Sequence, residues 1–171
     1  KFLCKFLIEG TAANPCFTKE SSETIQLAYW NAGFHFPYHV APTKKTIMGL
    51  RESSQIKMIE NEGETKAGMI ITLQAKIDGV KNITLSKLLS NDKLVVNYTM
   101  NKNDVIVINT NYGEKSIKLN GENAFSILAP ESVFIQLDTG ENYIAYDVEE
   151  NVDALDIRVD YLPQYMEVQS D

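Results

Sequence analysis

The stretch MIITLQAKI, residues 69–77, decides the fold. Met69, Ile71, Leu73, Ala75 and Ile77 fall on one side of a two-residue repeat, with Ile70, Thr72, Gln74 and Lys76 on the other. Successive side chains of a strand point to opposite faces, so this is the pattern of a strand with one face in a core. An amphipathic helix would instead repeat its apolar residues every three and four positions.

The same repeat recurs along the rest of the chain. Leu94, Val96, Tyr98 and Met100 alternate with Val95, Asn97 and Thr99, and Val105 to Ile108 is a short run rich in β-branched residues. Ile117 and Leu119, then Val133, Ile135 and Leu137, then Ile144, Tyr146 and Val148, then Leu155, Ile157, Val159 and Tyr161 carry the pattern further. Turn signals separate them: Asp78-Gly79, Asn91-Asp92, Asn101 to Asp104, Asn111-Tyr112-Gly113, Asn120-Gly121 and Thr139-Gly140. Val105 to Thr110 and Glu114 to Leu119 flank a short loop with a glycine, which predicts a hairpin. Many short strands joined by polar turns predict an all-β chain built as an antiparallel sandwich or a barrel. Leu73, Val96, Ile108, Ile135 and Ile157 are its expected core, and helix is limited to one turn at Ser86 to Leu89.

The first part of the chain is less regular. Thr18 to Thr24 reads as an exposed loop. Phe34, Phe36 and Tyr38 alternate with His35 and Pro37 until Pro42 interrupts, the mark of an edge strand or extended segment. Gln55 to Ile59 resumes a strand, and Asn61 to Glu64 is a turn. The expected organisation is one structural domain: residues 1–65 as strand, loop and extended segment packing on the sandwich, 66–165 as the main β-sandwich region, and 166–171 as a tail.

Composition narrows the function classes. A chain of 171 residues, 44% hydrophobic and 23% charged, can bury a core without staples. Its net charge of −7 argues against nucleic-acid binding, which needs clustered Lys and Arg. No apolar run of about 18 residues exists, so no membrane-spanning helix is expected. Lys1 to Ile8 is too short for a signal peptide and lacks an initiator Met, and reads as the start of a shortened or processed fragment. Cys4 and Cys16 lie in no CxxC or Cys/His spacing, so both are expected as reduced thiols, with no metal.

The motifs of catalysis are missing from the sequence. There is no GxSxG, phosphate-binding loop, GxGxxG or HExxH, so no catalytic residue and no cofactor is assigned. His35 and His39 share a strand face about 13 Å apart, too far for one metal. Asp147, Glu149, Glu150, Asp153, Asp156 and Asp160 read as a solvated face, although a calcium loop or a glycosidase carboxylate pair draws on the same residue types. Trp30, Phe34, Phe36 and Tyr38 form the candidate contact site: they either pack against one end of the core or offer rings to a sugar or protein partner.

Four segments taken in order resemble the siphophage distal tail protein family, the tail-hub or baseplate protein at the end of the tail tube. They are Lys1 to Ile8 followed by Asn14-Pro15-Cys16-Phe17; WNAGFHFPYHV at 30–40 followed by Met48-Gly49; Ile59 to Glu64 with its I-x-N-x-G-E turn leading into Ala67 to Ile77; and the block from Asp104 to Tyr146 containing DVIVINTNYGEKSIKLNGEN and SVFIQLDTGENYIAY. The family more often has another residue at Cys16, and its N-terminal, ring-forming half has no counterpart here, so the resemblance is to the C-terminal half. It implies a galectin-like β-sandwich with an irregular N-terminal segment, hanging outward from a homo-hexameric hub. Its partners would be other tail proteins: the tail tube, and a tail-associated lysin, fibre or receptor-binding protein. It further implies a virion-tail location, assembly in the host cytoplasm, and neither catalysis nor cofactor. The alternative reading is a carbohydrate-binding module that contributes to attachment to a host glycan. The fragment alone is expected to be a monomer or a weak oligomer.

Overall fold

A computed structural model describes residues 16–32, 49–53 and 55–166. Thirteen strands run through them: β1 (Phe17–Thr18), β2 (Glu23–Ala32), β3 (Gly49–Ser53), β4 (Ile56–Asn61), β5 (Met69–Ala75), β6 (Val80–Lys87), β7 (Lys93–Met100), β8 (Val105–Asn109), β9 (Ser116–Leu119), β10 (Glu122–Asn123), β11 (Gly140–Glu150), β12 (Leu155–Tyr161) and β13 (Gln164–Tyr165). Helix among the described residues is confined to two three-residue 3₁₀ turns, at Phe125–Ile127 and Val152–Ala154.

The strands form a seven-stranded antiparallel sheet, ordered β10-β9-β8-β5-β12-β2-β3, and a four-stranded one, ordered β4-β11-β6-β7. The short β1 and β13 pair with each other, Phe17 opposite Tyr165. The core lies between the two larger sheets. From the first come Leu73, Ile106, Ile108, Leu155 and Ile157, and from the second Ile83, Leu85, Leu94, Val96 and Ile144, each at most 2% exposed. Fully burying such a side chain contributes about 1.5–3 kcal/mol. All five expected core residues, Ile135 included, lie in this cluster.

The expected hairpin forms, with Ile108 opposite Ile117 and Val107 opposite Lys118. The next turn needs both central residues at positive φ. Asn120 and Gly121 supply 51° and 91°, which is why that dipeptide stands there.

Three expectations are corrected. Ser86 and Lys87 end strand β6 rather than open a helical turn, because their backbones stay in register with Ala145 and Ile144 of β11. Val133, Ile135 and Leu137 do not form a strand. The segment touches the sheets at separate points: Ala129 and Val133 N–H donate to the Val95 and Lys93 carbonyls, and Leu137 exchanges hydrogen bonds with Ala67. Ile135 and Leu137 are buried while Val133 is exposed, so the alternation marks contact with the core but no ladder. Ile77 leaves the buried row of β5 for solvent, because the strand stops at Ala75.

Candidate interaction surface

Of the candidate contact residues, Trp30 lies on β2, its backbone opposite Arg51 of β3 at one side of the seven-stranded sheet. Phe34, Phe36 and Tyr38, with His35 and His39, fall outside the described residues. Cys4 does as well.

The acidic residues of the C-terminal part do not converge. Asp156 binds Lys76 at 2.9 Å, and Asp160 binds Arg158 at 2.9 Å and accepts from the Thr24 hydroxyl. Glu149 takes Lys81 and the Asn82 amide, which together hold its carboxyl below the usual range, the amide bond contributing most. Among the described residues no three His, Cys, Asp or Glu side chains gather as metal ligands would.

The segments that carried the family resemblance act as turns and clasps. Asn61 is buried in its turn: Oδ1 accepts from Gly63 N–H and Nδ2 donates to the Thr65 carbonyl. The same turn holds β13 and the residue after it, Glu64 N–H donating to the Gln164 carbonyl and the Glu64 carboxylate accepting from Met166 N–H. A Cβ on Gly63 would sit 2.6 Å from the Gln164 nitrogen, so only glycine fits. In LDTGENYI, residues 137–144, Gly140 has φ of 80° and the fully buried Asn142 closes the loop. Asn142 accepts from Asp138 N–H and donates to the Asp138 and Gly140 carbonyls.

The outer faces of the two sheets differ. On the seven-stranded sheet, Gln26, Arg158 and Thr72 line up across β2, β12 and β5, followed by Val107 and Lys118, and the charges of Arg158, Asp160, Asp156 and Lys76 are paired within the face. On the four-stranded sheet, Met58 of β4 lies opposite Tyr143 of β11, and Ile56 opposite Ala145. Leu88, just past β6, donates its N–H to the Tyr143 carbonyl. Ile56, Met58 and Leu88 are 49%, 47% and 46% exposed, so apolar side chains from β4 and from the turn after β6 reach solvent on either side of Tyr143. Glu60 and Glu141, opposite one another, border this patch on one side, and Asp147 follows Ala145 on the other. The sequence carries a signal for it: Tyr143 and Ala145 add apolar positions to β11 in antiphase with the core set Ile144, Tyr146 and Val148.

A family model described as the C-terminal domain of a siphovirus-type tail component matches residues 62–165, more than half of the chain and the stretch that runs from the Asn61 turn through β13. A search of curated proteins found no match.

Proposed function

The chain belongs to the siphovirus-type tail component family, and on that premise we propose that it is the peripheral domain of a phage or prophage distal tail hub, joining the tail tube to fibre or receptor-binding proteins. A virion-tail structural role follows from the family itself. The hub position, the link to fibres, a hexameric ring in the intact protein and assembly in the bacterial cytoplasm are the finer content of the proposal. The observation that carries it is the coincidence of the family match with the structural clasps. The turns at 61–64, 120–123 and 137–142 are spent on holding a sandwich together, and the acids near the C-terminus are tied to cations or spread apart. A sandwich whose turns are closed in this way suits a structural connector, and we assign it no catalysis.

Immunogold labelling of assembled particles with antibody raised against this domain tests the reading. The expected result is label at the end of the tail distal to the capsid. Label along the tube or on the capsid, or particles devoid of the protein, would overturn it.

A further inference from the structure

We propose that the outer face of the four-stranded sheet, centred on Met58, Tyr143 and Leu88, docks a partner protein that presents apolar side chains flanked by lysine or arginine. The proposal rests on the tail reading in one respect only: it takes the partner to be another tail protein.

Outward positions of a sandwich strand normally meet water and carry polar side chains. Here β4, β11 and the turn that leaves β6 set Met58, Tyr143 and Leu88 in one row, and Ile56 and Ala145 lie in the next. Isolated exposed apolar residues are ordinary, but contiguous ones mark interaction sites. The rim chooses the partner's chemistry. Glu60 and Glu141 stand directly opposite each other, an arrangement that costs stability in an isolated sheet. Neither they nor Asp147 has a Lys or Arg within ion-pairing distance among the described residues. The Tyr143 hydroxyl donates to Glu141 at 2.9 Å, joining the apolar row to the acidic rim. A basic-flanked partner would cover the apolar row and relieve the uncompensated charge at once. A second copy of this chain would bring acid to acid, which disfavours it as the occupant. The opposite sheet offers no such demand: Arg158, Asp160, Asp156 and Lys76 already pair with one another, and the charge left over in its outer row, Lys118, is basic.

Site-specific photo-crosslinking in tail particles assembled with the full-length protein tests this. p-Benzoylphenylalanine replaces Met58 in one variant and Thr72, on the outer face of the other sheet, in a second; incorporation at the normal level shows that both fold. Met58→p-benzoylphenylalanine should cross-link to a different tail protein, at a peptide with Lys or Arg beside apolar residues, and Thr72→p-benzoylphenylalanine should not. Adding Glu60→Lys and Glu141→Lys should lower the yield at position 58 several-fold. No cross-link at 58, a cross-link to a second copy, equal yield at 72, or indifference to the charge reversals would overturn the docking face while leaving the tail reading intact. Particles devoid of the protein would overturn the tail reading, and the partner class with it.

Discussion

The Lys87 ammonium lies 2.6 Å from a carboxylate oxygen of Asp138 and 2.9 Å from the Gln136 carbonyl, with its own side chain 3% exposed and that of Asp138 45% exposed. A buried cation at the end of β6 therefore pins the segment that leads into β11. The two partners are unequal. Lys87→Met removes the cation and leaves a carboxylate that still reaches solvent and Lys66. Asp138→Ala leaves the ammonium buried without its counter-charge. The expected losses are about 1 kcal/mol for Lys87→Met and about 3 kcal/mol for Asp138→Ala. Urea unfolding of the two variants checks the order; equal losses would show that the pair acts as an ordinary surface bridge.

The same pair sets an acid limit. Hydrogen bonds from Lys87 and then Lys66 hold the Asp138 carboxyl below the usual carboxylate range. A depressed folded value means that the unfolded chain binds the proton more readily. The stability Asp138 contributes is therefore fully present above about pH 4, its ordinary value, and is lost as pH falls through the lower folded value. Thermal unfolding between pH 6 and pH 2 should show a shallower acid decline in Asp138→Asn than in the wild type.

Glycines separate steric demand from backbone demand. A Cβ on Gly68 would lie 2.4 Å from the Cα of Asn111, while Gly113, at φ of 79°, has nothing within 4 Å of its added carbon. Gly68→Ala must push the start of β5 from the β8–β9 loop and should cost about 2–3 kcal/mol. Gly113→Ala meets only the left-handed penalty, about 1 kcal/mol, and Gly113→Asn should recover most of that, since asparagine tolerates this conformation. Calorimetric melting of the three variants tests the ranking.

Ile108→Asp should abolish folding, because it places an unpaired charge at a fully buried position between β5 and β9. Val133→Asp, in the segment without a ladder, should cost under about 0.5 kcal/mol, as Val133 is exposed. This contrast also marks how far the sequence could be read. The period of two reports which side chains face the core, and it located Ile108 and Ile135 alike. It does not report whether the backbone beside them is hydrogen-bonded into a ladder, so 133–137 imitates a strand. Lys87 was missed for another reason. The bulge between Lys81 and Ile83, with Asn82 at φ of 47°, breaks the period of two in β6, so Ile83, Leu85 and Lys87 did not stand out as one inward row and Lys87 fell in the expected helical turn. The apolar outer face was hidden because Gln55 to Ile59 offers apolar side chains to both faces, so one strand alone does not say which of Ile56, Met58 and Ile59 faces the core. The exposure of Ile56 and Met58 follows from Ile59 and Asn61 taking the inward positions of β4.

The isolated chain should be a monomer at micromolar concentration, and its weak self-association should grow with salt. A stable homodimer typically covers about 800 Å² of each partner around an apolar centre. The apolar outer row here consists of a few half-covered side chains, Ile56, Met58, Leu88 and their neighbours Tyr143 and Ala145, so it can anchor a larger interface but is too small to hold two copies alone. Each copy also carries a net charge of −7 and presents Glu60, Glu141 and Asp147 around that row. Two such rims repel, and ions screen the repulsion over about 10 Å at 0.1 M salt. Light scattering across a salt series is the direct measurement. A monomer that begins to associate only at high salt fits both the acidic rim and a hub whose ring contacts lie elsewhere in the intact protein. A stable hexamer at low salt would place the ring contacts in this domain and overturn this expectation.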